Sequence, residues 1–401
     1  MAFGICNLML KSSERYCLII DKSSQLPVYY PNLFITTQIR NESDSVSTMV
    51  TSASCITILL NFLEIRNIDL IDRIYTKQFL NISEIEDLRN FSQKKINTDQ
   101  KSNVKRLSKK QDNYVTSKTQ YSRLTVIYKY IEWLGHHLVD DTDDMYIGKL
   151  NSCIRTIKEN RPHKKGRNGH LIEKSLSSEE IEVLFEIVRI DSPLNPFKKE
   201  VQRRNRLIVF MLYYLGVRGG ELLNIKISDI NFSSNQLSIL RRADEKTDTR
   251  LVQPLVKTND RVIPLRDVLA KEIHDYVLNE RNNIAKKKKH DYLFVTHKKG
   301  SGEGLPLNYA AYNRVIRSIK ESSPNLKTLT GHMLRHTWNA EFSKRMDSMD
   351  NAPSEERQEQ LRSYLMGWKD GSGTASTYNK RFINEKAHEV ALLLQNELNK
   401  D

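Results

Sequence analysis

Gly216-Val217-Arg218-Gly219-Gly220-Glu221-Leu222 follows a helical stretch that includes Arg204 to Leu215, and Gly216 is the natural place for that helix to stop. Glycine takes the left-handed backbone that closes many helices. Arg218 then lies just beyond a helix end, with Glu221 three residues later. Alone, this is an ordinary Arg–Glu pair on one turn. It gains meaning from two distant fragments, His332-Met333-Leu334-Arg335-His336-Thr337-Trp338 and Met366-Gly367-Trp368 followed by Tyr378. His332 and Arg335, three apart, share one face of a helix. Guanidinium forks match phosphate oxygens, imidazole and indole N–H groups are further donors, and a phenol is a covalent nucleophile once its proton is removed. These parts suit gripping one phosphodiester and attacking it. His332 and His336 also have the spacing of a zinc helix, but Met333 stands where a His-Glu-x-x-His metallopeptidase needs its carboxylate.

Outward from these fragments, the chain divides by composition. After the Gly216–Leu222 segment comes a short β region: Gln236 to Leu240, Val252 to Val256, and Val262-Ile263-Pro264-Leu265. Helices return from Asp267, and the Lys286–Lys289 run is a loop before the strand-like Tyr292-Leu293-Phe294-Val295. Upstream, Ser177 with Glu180 forms a capping box, flanked by a Leu176–Ile181 staple, so a domain begins near 175 and runs to 401. Before it, residues 161–174 read as a basic linker broken by Pro162, Gly166 and Gly169, with Lys164, Lys165 and Arg167 as phosphate-contact candidates. Residues 46–160 are helical. The strongest segment, Ser117 to Val139, carries Tyr121, Leu124, Tyr128, Ile131 and Leu134 as a core stripe. The run Lys94 to Lys110 adds Lys105, Arg106, Lys109 and Lys110 as phosphate contacts. Residues 1–45 are strand-rich (Tyr16 to Ile20, Val28-Tyr29-Tyr30, Leu33 to Thr36) and have no assignable task.

The bulk numbers agree with a nucleic-acid partner. The 401 residues suffice for two or three domains, and 63 Lys+Arg against 49 Asp+Glu give a net charge of +14. Four cysteines (Cys6, Cys17, Cys55, Cys153) without Cys-x-x-Cys spacing read as reduced core thiols rather than a disulfide framework or a zinc site. No apolar run is expected to span a membrane, and Met1 to Lys11 lacks the pattern of a secretory signal, which points to the cytoplasm.

Gly-x-Arg-x-x-Glu-Leu, His-x-x-Arg-His, Leu-Met-Gly-Trp and a following Tyr, spanning residues 213 to 378, resemble the tyrosine recombinase (phage integrase) family. The region before 175 is similar to the family's core-binding domain in length and charge alone. The resemblance implies a mainly α fold with small β-sheets: a helical core-binding domain and a mixed α/β catalytic domain that clamp DNA. It implies that Tyr378 attacks the scissile phosphate and forms a 3′-phosphotyrosyl link. Arg218 and Arg335 would hold the non-bridging oxygens, and His332 and Trp368 would hydrogen-bond the phosphate, with His332 also helping to deprotonate Tyr378. Glu221 would orient its neighbours from behind. A lysine of the β region would protonate the leaving 5′-oxygen. Lys257, at a hairpin tip before Ile-Pro-Leu, is the choice, and Lys246 its rival. The resemblance implies no cofactor, neither ATP nor a metal.

The implied partner is double-stranded DNA carrying specific recombination sites, bound by a homo-tetramer in the synaptic complex and without a membrane. The apolar face of a terminal helix from Asn384 to Leu398 would pack in cis or on a neighbouring protomer. The implied activity is site-specific recombination through a Holliday junction, for integrating or excising a mobile element. A type IB topoisomerase-like relaxing enzyme and a catalytically silent DNA-binding accessory protein are the alternatives. Three departures stand out: Trp368 replaces the usual His, the Trp368–Tyr378 interval with Gly371, Ser372 and Gly373 is a residue longer than usual, and Met346 to Gln360 looks inserted. Tyr364, the other nearby tyrosine, fits a packed helix.

Overall fold

The computed structural model describes residues 1–42, 45–95, 113–139, 143–163, 175–369 and 390–392. The chain forms two compact units, Met1–Leu171 and Ile172–Asp401. Both are mostly helical, each with one small sheet.

In the first unit, β1 (Phe3–Met9) pairs antiparallel with β2 (Arg15–Asp21), Phe3 opposite Asp21 and Met9 opposite Arg15. Next come α1 (Tyr29–Phe34), a π-helical turn (Ile35–Arg40), α2 (Val46–Ile65), α3 (Leu70–Tyr75), α4 (Ile82–Gln93), α5 (Ser117–Leu138) and α6 (Asp144–Glu159). Ser45, Asp69, Asn81, Thr116 and Asp143 cap α2 to α6, each accepting from backbone N–H groups of the first turn. The strands expected at 28–30 and 33–36 are helix instead, apart from Val28, the extended N-cap of α1. Pro31, Phe34 and Ile35 recur at helical spacing and are buried, and Phe34 meets Tyr130 and Trp133 of α5 edge-on at 5.4 Å. Asn32 completes the correction: its side chain accepts from Ile19 N (2.8 Å) and donates to Ile19 O (2.8 Å), so it occupies the edge of β2 where a third strand would pair. Tertiary packing overrides the β-propensity of this segment.

The hairpin, α1 and the helices share one core. α2 runs through it, and contrary to the expectation from sequence it is long and apolar enough to cross a membrane by length and composition; two-thirds of its apolar window is buried inside this unit. On α5, Leu124, Ile131 and Leu134 are buried as the stripe requires, but Tyr121 and Tyr128 are only half-buried. Their rings lie beneath the Arg161 guanidinium at 4.6 and 5.2 Å, and Ile127 and Tyr130 take the inner positions. A phenol favours the rim, where its ring packs and its hydroxyl stays wet. Cys17, Cys55 and Cys153 are buried, whereas Cys6 is exposed on the hairpin rather than in the core.

The second unit contains α7 (Ser178–Val188), α8 (Lys199–Leu215), α9 (Gly219–Asn224), a three-stranded antiparallel sheet of β3 (Ile230–Asn231), β4 (Gln236–Ile239) and β5 (Arg261–Pro264), then α10 (Asp267–Tyr276), α11 (Asn282–Ala285), α12 (Tyr309–Ser322), α13 (Gly331–Asp347) and α14 (Glu355–Met366). The Ser177–Glu180 capping box forms reciprocally, and Leu176 and Ile181 both join this unit's core. β4 lies in the middle, Leu237 opposite both Ile230 and Ile263. Val252 to Val256 is not a strand: β4 pairs directly with β5, and the intervening chain is an irregular loop. Arg250 explains this, because its buried guanidinium binds Asp248 and the carbonyls of Leu223 and Leu307, pinning the loop away from a ladder. Tyr292 to Val295 is likewise buried but forms only single bridges, Lys226 to Tyr292 and Val295 to Pro306. The inserted stretch from Met346 ends α13, turns, and supplies the first residues of α14.

Candidate active site

Gly216 closes α8 with φ +60°, and the carbonyl it turns outward accepts from Arg335 Nη1 at 2.7 Å. A Cβ at this glycine would sit 2.9 Å from both Met366 and the Trp338 ring. The position therefore needs glycine for its backbone and for its space. The reversal sets Arg218 at the N-terminus of α9, where its own N–H donates to Glu221 Oε2 (3.0 Å) and its Nη1 to Glu221 Oε1 (3.3 Å).

Glu221 is the centre of the arrangement. Its side chain is fully buried, and it also accepts from Thr258 Oγ1 (2.8 Å) and Arg261 Nη2 (2.7 Å), with Arg335 Nη1 at 3.8 Å. Burial pushes its carboxyl upward, but the charges of Arg261 and Arg335, with hydrogen bonds from the Arg261 side chain and the Arg218 backbone, outweigh it and hold the carboxyl below its ordinary range. Three guanidinium groups thus face one carboxylate. Such a cluster carries excess positive charge in a low-dielectric setting, which an anion such as a phosphodiester would complete. Arg218 is the accessible member, its side chain 31% exposed against 1% for Arg335.

The turn at the end of α14 is held from three sides. Leu365 O accepts from Arg261 Nε (2.7 Å), Met366 O from Arg335 Nη2 (2.9 Å), and Gly367 O from the backbone N–H of Asn259 (2.9 Å). Gly367 has φ +63°, and a Cβ there would lie 2.7 Å from Arg261 Nη1. Trp368 follows, buried, with the Arg335 guanidinium 5.6 Å from its ring centroid. Arg218, Glu221, Arg335 and Trp368, scattered in sequence, therefore converge.

α13 brings in His332. It lies on the exposed side of the first turn, its ring edge-on to His336 at 4.6 Å. Buried Tyr312 of α12 joins this turn to α9. A Cβ at Gly219 would lie 2.9 Å from its ring, and one at Gly331 would overlap its hydroxyl. Small residues on both sides of one tyrosine let the two helix starts approach. Lys257 is exposed, next to Thr258 and Asn259, which bind Glu221 and Gly367; Lys246 is also exposed, on the far side of Arg250 in the same loop. The hairpin tip expected for Lys257 is this irregular loop before β5. Tyr364 lies on α14 but is 60% exposed, not packed as expected. Tyr378, Gly371, Ser372, Gly373, Lys105, Arg106, Lys109, Lys110, Lys164, Lys165 and Arg167 lie outside the described residues, as does the segment expected to form the terminal helix, except Val390–Leu392, which is helical and exposed.

Arg261 and Thr258 were not identified from sequence. One signal was available: the alternation that buries Ile263 on β5 also buries Arg261, so an arginine sits on the inner face of a strand.

The sequence profile of the phage integrase family matches residues 174–384. The chain belongs to the phage integrase family. Similar proteins include tyrosine recombinase XerD of Halalkalibacterium halodurans, 28% identical over 169 residues, and tyrosine recombinase XerA of Pyrococcus furiosus, 31% identical over 169 residues; each match covers 42% of this chain and 47% of the relative. Transposase A from transposon Tn554 of Staphylococcus aureus is 30% identical over 136 residues, 34% of this chain and 35% of that one. The chain thus matches about half the length of the first relatives or less.

Proposed function

We propose that this protein is a site-specific DNA recombinase of the integrase type, acting on double-stranded DNA in the cytoplasm. The observation that supports this reading most is the convergence of Arg218, Arg335, Trp368 and the Lys257 loop on buried Glu221, an excess of guanidinium charge with one accessible member. Tyr378 Oη attacks the phosphorus, and its proton passes to His332 or solvent. The bond from phosphorus to the 5′-oxygen breaks, leaving a 3′-phosphotyrosyl link, and Lys257 gives the leaving oxygen its proton. Arg218 and Arg335, with His332 and Trp368, stabilise the charge that grows on the non-bridging oxygens. A second strand's 5′-hydroxyl reverses the step through a Holliday junction, so the link conserves the bond energy and no cofactor is consumed.

The helical N-terminal unit serves as the core-binding part that contacts DNA. Lys164, Lys165 and Arg167 in the linker and Lys105, Arg106, Lys109 and Lys110 before α5 contact phosphates. Four copies assemble across two sites, and the task is integration or excision of a mobile element, in keeping with the likeness to a transposon-encoded transposase.

A nicked suicide substrate tests the chemistry. The wild type should become covalently attached to DNA and Tyr378→Phe should not; attachment that survives this change refutes the nucleophile. Strand exchange between two sites, rather than relaxation alone, separates this reading from a type IB topoisomerase-like enzyme.

A further inference from the structure

Arg261 is buried, 1% exposed at its side chain, and each of its three guanidinium nitrogens is committed to a different part of the site. Nη2 holds Glu221 Oε2 at 2.7 Å, Nη1 donates to Thr258 Oγ1 at 3.0 Å, and Nε donates to Leu365 O at 2.7 Å. The Thr258 hydroxyl in turn donates to Glu221 Oε1 at 2.8 Å, closing a ring of three side chains. The next residue, Asn259, is fixed through its N–H to Gly367 O. The exposed side chain of Lys257 therefore projects from a backbone anchored at the two positions that follow it, and every anchor leads to Arg261 or to the turn that Arg261 holds.

An exposed lysine has high rotamer entropy, and among the described residues no hydrogen bond or ion pair aims Lys257. General acid catalysis requires its ammonium within hydrogen-bond reach of the leaving oxygen. A stiff backbone at Thr258–Asn259 is the available means of confining it. Arg261 suits this because a planar fork can satisfy three acceptors in fixed directions, which an ammonium on a flexible stem cannot. We infer that Arg261 is a positioning residue that, through Thr258 and the Leu365–Gly367 turn, sets the place of Lys257 relative to the scissile phosphate. This rests on the recombinase reading and on Lys257 as the proton donor.

The experiment compares covalent attachment of full-length protein to two nicked substrates, one with the ordinary 5′-bridging oxygen at the scissile position and one with sulfur there. A thiolate leaves near neutral pH without being protonated, whereas an alkoxide does not. Lys257→Ala calibrates the loss of the general acid. Arg261→Met and Arg261→Lys should slow attachment on the oxygen substrate by at least about tenfold more than on the sulfur substrate. Thr258→Val, which removes one link and no charge, should show the same bias more weakly and carries the test if Arg261→Met does not fold. Equal slowing on both substrates, or none, would overturn the inference, since a merely structural arginine has no reason to distinguish leaving groups. Failure of the wild type on both substrates would instead remove the recombinase reading beneath it.

Discussion

The two units bury different things. In the first, Leu59, Ile56, Phe62, Ile131 and Tyr146 are fully enclosed, and among the described residues the only buried acidic, basic or histidine side chain is Arg15. In the second, Arg204, Glu221, Asp229, Asp248, Arg250, Arg261, Arg281, His297, Arg335 and Arg362 are all buried. Desolvating a charge is expensive, and a buried pair rarely stabilises more than well-packed apolar groups of the same shape. Charge buried on this scale in one unit and nearly avoided in the other therefore marks a difference of task. The first is held together by apolar packing; the second accepts a poorer exchange to keep guanidinium groups in fixed positions.

The largest effect expected from this contrast is at Glu221. Glu221→Ala leaves Arg261 and Arg335 buried without their carboxylate, which should destabilise the second unit by roughly 3–5 kcal/mol and abolish covalent attachment. Leu59→Ala in the first unit opens a cavity in α2 and should cost about 2–5 kcal/mol there. Its attachment rate per folded, DNA-bound molecule should match the wild type. Hydrogen exchange read peptide by peptide assigns each loss to its unit. If Glu221→Ala is as stable as the wild type, the centre does not organise this core.

Titration offers a second contrast. His297 is held between Tyr276 Oη (3.2 Å) and Glu200 O (2.9 Å), and burial, with the nearby Arg204 charge, lowers its pKa to about 4. The unfolded imidazole takes a proton near the ordinary 6.5 while the folded one does not until about 4. Stability is thus intact above pH 6.5 and lost as pH falls from there to about 4, by ~3 kcal/mol at 1.36 kcal/mol per pH unit. Glu221, held below its ordinary value, adds a loss that begins only once the pH falls below the usual carboxylate range. Exchange in peptides around His297 should accelerate across this window and His297→Gln should flatten the response; identical pH profiles in wild type and variant would refute the assignment.

What was legible in the sequence follows the same line. Helix ends were readable because their chemistry is local: Ser177 with Glu180, and Gly216 closing α8. The arginines, His332 and Trp368 were readable through a motif. Arg261 and Thr258 were not, since their roles depend on chain more than 35 residues away, as the separations to Glu221 of 40 and 37 show. Residues 28–36 misled for the converse reason. Their aromatic and β-branched content favours strand locally, and only the docking of Phe34 on α5 and of Asn32 on β2 makes them helical.

The smallest effect tests whether the first unit has any charge that matters. Arg161 lies over Tyr121 and Tyr128 and donates from Nε to Lys158 O (3.1 Å) and from Nη1 to Thr125 Oγ1 (3.2 Å). It caps the end of the helical bundle where the basic segment begins. At a half-exposed site a cation over an aromatic face contributes ~0.5–1 kcal/mol, and the neutral hydrogen bonds add a similar amount. Arg161→Met keeps the apolar stem on the rings and should destabilise this unit by about 1 kcal/mol, a midpoint change of a few degrees at most. DNA affinity separates two roles for the same guanidinium. If Arg161 belongs to the fold, the salt dependence of binding is unchanged in the variant; if it contacts a phosphate, the log–log slope falls by about one. The rings on one side and the two oxygen acceptors on the other already occupy the group, so the unchanged slope is the expected result. The first unit would then use even its best-placed arginine for packing, in contrast to Arg218, whose side chain remains open to an incoming anion.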